Sequence, residues 1–283
     1  MTEPSVCVLV LNWNGADDTI ECLNSLQKLS YKNARIVVID NGSSDDSVTR
    51  IHHSHPDVEV LQLESNLLYG GGNNFGLKWT HNQGFDFVVF LNNDTSVEPD
   101  FLEPLIATIS ANEKIGMAAP LMCYAATPQK VWYGGGMVNL WTGTIAHKYI
   151  RESVDAVPKG STVTDYITGC CMVMPTDLAV ELGGFDPIFL MYGEDADLSL
   201  RCRQKGYSLM FVPESRIYHK VSASVGGEFS LRKMKRKMRG LLQIYSRHAT
   251  WYQWLTIILS QLVLGFKHII TYFKFRTSPG SNS

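Results

Sequence analysis

The chain's six cysteines include no CxxC pair, and several lie inside apolar runs. No disulfide framework is expected, and the thiols read as small hydrophobes in a reducing cytosol. An excess of positive charge is also missing: 25 Lys+Arg stand against 27 Asp+Glu, a formal net charge of −2, which argues against a general nucleic-acid binder. No basic stretch leading into an apolar run precedes the strand-like pattern that starts at Ser5, so no secretory leader is expected. Internal repeats are absent, as is low complexity outside the Ser/Gly/Pro tail. The glycine cluster at 66–76 is not followed by GK[ST], which excludes a Walker loop, and no GxGxxG opens the first helix.

What is present is 45% hydrophobic and 18% charged residues over 283 positions, enough for one large α/β domain with an appendage. Val6–Leu11 is a continuous apolar run, the pattern of a strand covered on both faces. A helix over Asp17–Leu29 follows, then a buried strand over Arg35–Ile39, a helix starting near Ser44 or Asp45, and a strand over Val58–Leu63. This alternation predicts a mostly parallel, doubly wound sheet. The glycine-rich 66–76 reads as a loop that lets backbone approach a ligand, with a short helix over Leu77–Asn82 after it. Helices are expected from Glu98 to about Ala111 and over Thr176–Leu182, and strands over Gly116–Leu121 and Gly206–Val212. The stretch 124–163 has little periodicity and reads as irregular β-structure walling a pocket.

Three places concentrate chemistry. Phe87–Leu91 is an apolar strand that ends in Asn92, Asn93 and Asp94, carrying polar groups to the sheet edge where open α/β folds bind ligands. An Asx turn would use the same residues structurally. Asp40 and Ser43 follow the second strand and suit a ribose or nucleobase, although capping is an alternative use of that loop. Glu194, Asp195 and Asp197 crowd one helix start, where the helix dipole stabilises acids and where a partly buried carboxylate makes a general base. Arg201, four residues on, is expected to pair with Asp197. His219, in a Ser/Gly-rich loop, is a candidate metal ligand.

From 231 the composition shifts, with six cations in the eight residues 232–239. An apolar, aromatic-rich stretch follows over 251–275, and its uncharged span before Lys267 is shorter than the about 20 residues that cross a bilayer. A helix lying on a membrane surface is the favoured reading of 231–275, against packing on the catalytic domain or on a second copy in a homodimer. The expected organisation is a catalytic domain over 1–228, a basic amphipathic region over 229–276 and a disordered tail over 277–283.

Taken in order, VLVLNWNG, DNGSSDDS, NLLYGGGNNFGL, FLNNDT, GGFDPIFLMYGEDADLSLR and YHKVS resemble the inverting family 2 glycosyltransferases of A-type fold, over about residues 5 to 225. The GGFD and EDADL segments are most similar to the rhamnosyltransferase-like branch, which builds cell-surface polysaccharides. The resemblance implies that Leu11, Asn12, Asn14, Asp40 and Ser43 hold the nucleobase and ribose, with Asn66, Asn73 and Asn74 near the nucleotide. Asn92-Asn93-Asp94 stands where the family has DxD, so Asp94 is the one anionic ligand there for Mg2+ or Mn2+ and His219 completes the metal shell. Asp195 matches the catalytic base. Trp132, Gly169, Glu194 and Asp197 are expected towards the acceptor. The implied activity moves a sugar from a dTDP- or UDP-sugar to a hydroxyl of a lipid-linked or growing glycan, at the cytosolic face of the membrane and with no role for nucleic acid. A nucleotidyltransferase is the alternative enzyme, although Asn12-Trp13-Asn14-Gly15 lacks its basic residues. An inactive nucleotide- or carbohydrate-binding module is the alternative outside catalysis.

Overall fold

The computed structural model describes residues 3–221 and 231–263. The expected domain boundary at 228, the far part of the amphipathic region at 264–276 and the tail from 277 lie outside the described residues. The first half alternates as the periodicity predicts: β1 (Val6–Asn12), α1 (Ala16–Leu26), β2 (Ala34–Asp40), α2 (Ser47–Ser54), β3 (Glu59–Gln62), α3 (Leu68–Asn82) and β4 (Phe87–Asn92). Then come β5 (Thr95–Val97), α4 (Leu102–Ser110), β6 (Ile115–Tyr124), β7 (Thr127–Tyr133), β8 (Gly136–Asn139), β9 (Thr144–His147), β10 (Thr162–Thr164), β11 (Cys171–Pro175), α5 (Thr176–Glu181), α6 (Glu194–Gln204), β12 (Ser208–His219) and α7 (Leu231–His248).

Among the described residues the main sheet runs β10-β12-β6-β11-β4-β1-β2-β3, with β5 on β12 and β7 on β6. β3, β2, β1 and β4 are mutually parallel. β11 runs antiparallel to both β4 and β6, which makes the sheet mixed across its centre. Val6–Val10 and Val88–Phe90 are fully buried because helices cover both faces, so an unbroken apolar run is what these strands need. All six cysteines are buried and unpaired.

The glycine-rich segment departs from expectation. It is not a ligand-cradling loop but the first half of α3, which is continuous to Asn82. A Cβ at Gly72 would lie 2.6 Å from Leu11 Cδ1, and one at Gly76 would lie 2.8 Å from Leu9 Cδ1. The glycines therefore let a helix press against β1 and β2, and the packing offsets the intrinsic cost of glycine in a helix, about 1 kcal/mol each. The 124–163 stretch is more regular than expected, with β8 and β9 forming a hairpin.

A second, smaller core joins Tyr166, Phe189, Ala196 and Leu200 to Ile244 and Tyr245 of α7 and to Ile257 of the helix at 251–263. One side of the C-terminal region is thus packed on the catalytic domain. The other exposes Met234, Met238, Leu242, Trp251, Leu255, Ile258, Leu259 and Leu262. No helix among the described residues is long and apolar enough to cross a membrane.

Candidate active site

Parallel pairing aligns the C-terminal tips of three strands. Asn12 stands beside Asp40, and Leu11 beside Asn92. The polar residues delivered there bind one another. Asn12 is fully buried. Its Nδ2 donates to Asp40 Oδ1 at 2.8 Å and to Ser43 Oγ at 3.2 Å, and its Oδ1 accepts from Thr19 Oγ1 at 2.8 Å. Asp40 also accepts from the Ser43 hydroxyl at 2.6 Å and from the Ser43 N–H at 3.1 Å. Exposed Asn14 ties the loop after β1 to the loop after β2: its N–H donates to Ser43 Oγ at 2.9 Å and its Oδ1 accepts from the Ser44 N–H at 2.8 Å. Asn93 Nδ2 reaches Thr19 Oγ1 at 3.0 Å.

Several expected ligand contacts become framework. Asn12 has no surface to offer. Asn74 is committed to Phe185, donating to its carbonyl at 2.7 Å and accepting from its N–H at 2.8 Å, which fastens α3 to the GGFD turn. Asn73 is buried and donates to the Tyr69 carbonyl at 3.1 Å. Asn66 receives Asn41 Nδ2 at 3.2 Å and the Leu68 N–H at 2.7 Å, so it caps the approach to α3. Leu11 packs beneath Gly72. Asp40 is itself buried and orients Ser43, while Ser43 and Asn14 stay at the rim. Sequence reading overlooked Asn41 and Thr19, whose partners lie 25 and 7 residues away along the chain, and Trp13, which is 54% exposed on the loop after β1.

On the other flank His219 is not in a loop but is the last residue of β12, paired in register with Thr95 of β5. That register brings its Nε2 to 3.1 Å from Asp94 Oδ1. Trp132 stands edge-on to His219 with ring centroids 4.3 Å apart, and to His147 at 4.6 Å. His147 Nδ1 faces the Trp132 carbonyl at 3.0 Å. Burial pushes the His147 imidazole below its usual range, against the pull of that carbonyl and of Asp195, so the ring is neutral at pH 7. No sequence pattern marked His147, because it meets the site through the β8–β9 hairpin.

The three acids of α6 have three different surroundings. Gly193, at φ +103°, turns the chain into the helix through the left-handed region that glycine tolerates. Asp195 is half-buried, and its Oδ2 accepts the Gly169 N–H at 3.0 Å. The Gly169 carbonyl receives the Tyr69 hydroxyl at 2.5 Å. The next residue, Cys170, accepts the Asn92 N–H at 2.9 Å, so Asp195 is tethered one residue from the strand tip that carries Asp94. Glu194 is 8% exposed, and its buried Oε2 has no partner. Burial, reinforced by neighbouring Asp195, pushes its carboxyl up to about 8, so it is protonated at neutral pH.

Asp197 does not face an acceptor. It is fully buried and meets Arg201 Nε at 2.7 Å, Arg247 Nη1 at 3.0 Å and His248 Nε2 at 2.8 Å. The pair with Arg201 was legible from helical spacing. The other two partners come from α7, which thereby docks on the catalytic helix.

A two-donor set of one carboxylate and one imidazole has the right chemistry for Mg2+ or Mn2+. Adjacent ligands at about 2.1 Å from an octahedral ion lie about 3 Å apart, which is the spacing of Asp94 and His219, and the remaining positions would fall to water and phosphate oxygens.

Residues 5–179, well over half the chain, match the family model for glycosyl transferase family 2. The chain belongs to that family. It is a glycosyltransferase with the A-type fold. An N-acetylglucosaminyl-diphospho-decaprenol L-rhamnosyltransferase of Mycobacterium tuberculosis is 24% identical over 82% of this chain and 81% of its own length. The O-antigen biosynthesis protein RfbC of Myxococcus xanthus is 25% identical over 70% of this chain, which spans 16% of that larger protein. Among solved structures, GalNAc-T7 with UDP, GalNAc and Mn2+ superposes with a TM-score of 0.63 at 21% identity, over 76% of this chain and 43% of that one. At that identity the likeness is one of fold. The transferase assignment fits the arrangement above: a shelf of strand tips on one side and a tethered, half-open carboxylate on the other.

Proposed function

We propose that this family 2 transferase inverts the anomeric centre as it moves a sugar, with rhamnose from a dTDP donor first and UDP-hexoses next, to a hydroxyl of a lipid-linked or growing cell-surface glycan. The observation that carries the reading is Asp195. It alone among the α6 acids is half-open, and the Gly169 N–H holds it one residue from the contact with the β4 tip, after which Asp94 meets His219 of β12. Ser43 and Asn14 meet the nucleoside at the rim of the shelf, and buried Asp40 orients Ser43 from beneath. Asp94 and His219 would hold a divalent cation, Mg2+ or Mn2+, whose charge neutralises the diphosphate of the leaving nucleotide. Asp195 accepts the proton of the acceptor hydroxyl as that oxygen attacks the anomeric carbon, and direct displacement leaves no sugar–enzyme intermediate. Glu194 is buried and its carboxyl is pushed upward by burial and by Asp195, so Asp195 is the more accessible base. Trp132 presents a ring to the acceptor side, next to His219.

The exposed apolar face of α7 and of 251–263, joined to the basic run, supports contact with a membrane surface, and the location we propose is the cytosolic face. The reading is tested by incubating the protein with dTDP- and UDP-sugars and measuring nucleotide release with Mn2+, with Mg2+ and with EDTA. Metal-dependent release with one donor is the expected result. Release of pyrophosphate from a sugar phosphate and a nucleoside triphosphate would support a nucleotidyltransferase, and nucleotide binding without turnover would support an inactive module.

A further inference from the structure

A cavity of about 280 Å³ lies between α7 and the turn that precedes α6, apart from the strand tips. Lys235, Arg236 and Arg239 form its α7 side, and Ile188, Leu190 and Tyr192 form the other. α7 carries no acid along its length, and none of these three cations has a carboxylate partner among the described residues. Arg236 rests on Met191, with Nη1 3.6 Å from Sδ. Lys237 lies over the Tyr192 ring, 5.5 Å from its centroid. The helix is set tightly on this turn, because a Cβ at Gly240 would fall 2.1 Å from the Tyr192 carbonyl. Ile188 and Leu190 are each 43% exposed at the opposite lip.

The site therefore combines cations that pair with no carboxylate among the described residues with exposed aliphatic side chains, three residues upstream of Asp195. An anion with a hydrocarbon tail satisfies both, whereas a free nucleotide would leave the aliphatic lip unused. The nucleotide's diphosphate is already provided for at Asp94 and His219. We propose that this cavity binds the diphosphate and adjoining hydrocarbon of a lipid diphosphate that carries the acceptor sugar. The proposal rests on the transferase reading and deepens it: the anchored headgroup places the acceptor hydroxyl next to Asp195. The tail then continues over the exposed face formed by Met238, Leu242 and Leu262.

The test measures binding of farnesyl diphosphate to the full-length protein by calorimetry, in EDTA so that no cation at Asp94 and His219 takes part. Wild type should bind farnesyl diphosphate at least about tenfold more tightly than inorganic pyrophosphate, since burial of a few methylene groups is worth that much. Arg236→Ala/Arg239→Ala should weaken farnesyl diphosphate at least about tenfold, the scale of lost charge-assisted hydrogen bonds. Leu190→Asn, which removes the aliphatic contact without adding charge, should weaken farnesyl diphosphate and leave pyrophosphate unchanged. UDP and dTDP binding with Mn2+, measured on each variant, reports that the fold is intact and tests the transferase reading separately. Nucleotide binding that is lost in wild type while farnesyl diphosphate still binds would sink that reading and keep the site. Equal binding of farnesyl diphosphate by the double variant overturns the proposal. So does a double variant that loses only its adhesion to phosphatidylglycerol vesicles, because the cations would then serve the bilayer surface.

Discussion

Two edges of the cleft meet at the tip of β4 and hold their polar groups by different means. On the shelf, Asn12 and Asp40 from paired strand tips, Thr19 from α1, and Ser43 and Asn14 from the loops after the strands satisfy one another through short hydrogen bonds anchored by one carboxylate. On α6, three carboxylates within four residues are treated separately: Glu194 is buried with its Oε2 unpartnered, Asp195 is half-open on the Gly169 and Ala196 N–H groups, and Asp197 is buried under three cationic or imidazole side chains. The shelf resembles a prebuilt mould, in which register places Asn12 beside Asp40 and the following loops and α1 complete the set. The α6 side sorts chemically similar groups by what packs over them, and that sorting leaves Asp195 as the accessible one.

The contrast breaks most sharply at Asp195. Asp195→Asn is expected to lower transfer by about a thousandfold, within the range for loss of a general base, while nucleotide binding stays at the wild-type level. Steady-state rates and calorimetry on one preparation check both, and an active Asn variant would remove Asp195 as the base. On the facing flank, Asp94→Ala should cut Mn2+-dependent nucleotide binding by about tenfold to a hundredfold, a scale seen even for groups one shell further from a metal. Unchanged binding would detach the Asp94–His219 pair from any metal.

The third test concerns stability rather than rate. Asp197→Ala leaves Arg201, Arg247 and His248 without their shared acceptor, at a cost of about 3 kcal/mol, visible as a lower melting temperature. Burial works against ionised Asp197, but hydrogen bonds from His248 and Arg201 and the nearby Arg charges hold its carboxyl below the ordinary value of 3.8. Its contribution is thus present above that value and is lost as the pH falls through the lower folded pKa. On the shelf side, Gly72→Ala pushes a methyl into Leu11 and should cost about 1–3 kcal/mol, the usual cost of overpacking. A neutral result there would mean that α3 is free to shift.

The last test is one of pH. Glu194, with its carboxyl raised from 4.5 to about 8, takes up a proton in the folded state that the unfolded chain releases. Stability therefore declines as the pH rises from about 4.5 to 8, the opposite sign to Asp197. Glu194→Gln should flatten that decline and melt higher than wild type at pH 8, with the two converging at pH 4. A variant that loses turnover at every pH would show that Glu194 takes part in chemistry.

Most of the parallel half was legible from residues alone. An apolar run that stops at Asn92 identifies a buried strand tip, because both the burial and its end are local facts of sequence. The spacing of Asp197 and Arg201 predicts their pairing for the same reason. The glycine-rich segment was misread because glycine has two uses, turning freely and admitting a close neighbour. Only the positions of Leu9 and Leu11 reveal the second. The Asn74 side chain was misassigned for a similar reason: its partner, Phe185, is 111 residues away.

What the sequence determined by itself was the layered α/β plan, the strand tips that bear polar groups, and the set of acids from which a base could come, since each depends on periodicity within one element. The tertiary structure decided which acid remains accessible, which amides are scaffold, and that His219 ends a strand facing Asp94. Those outcomes follow from long-range packing and strand register: β12 lies across from β5, and α7 covers Asp197. Desolvation and pairing at such contacts depend on distances that no local pattern encodes.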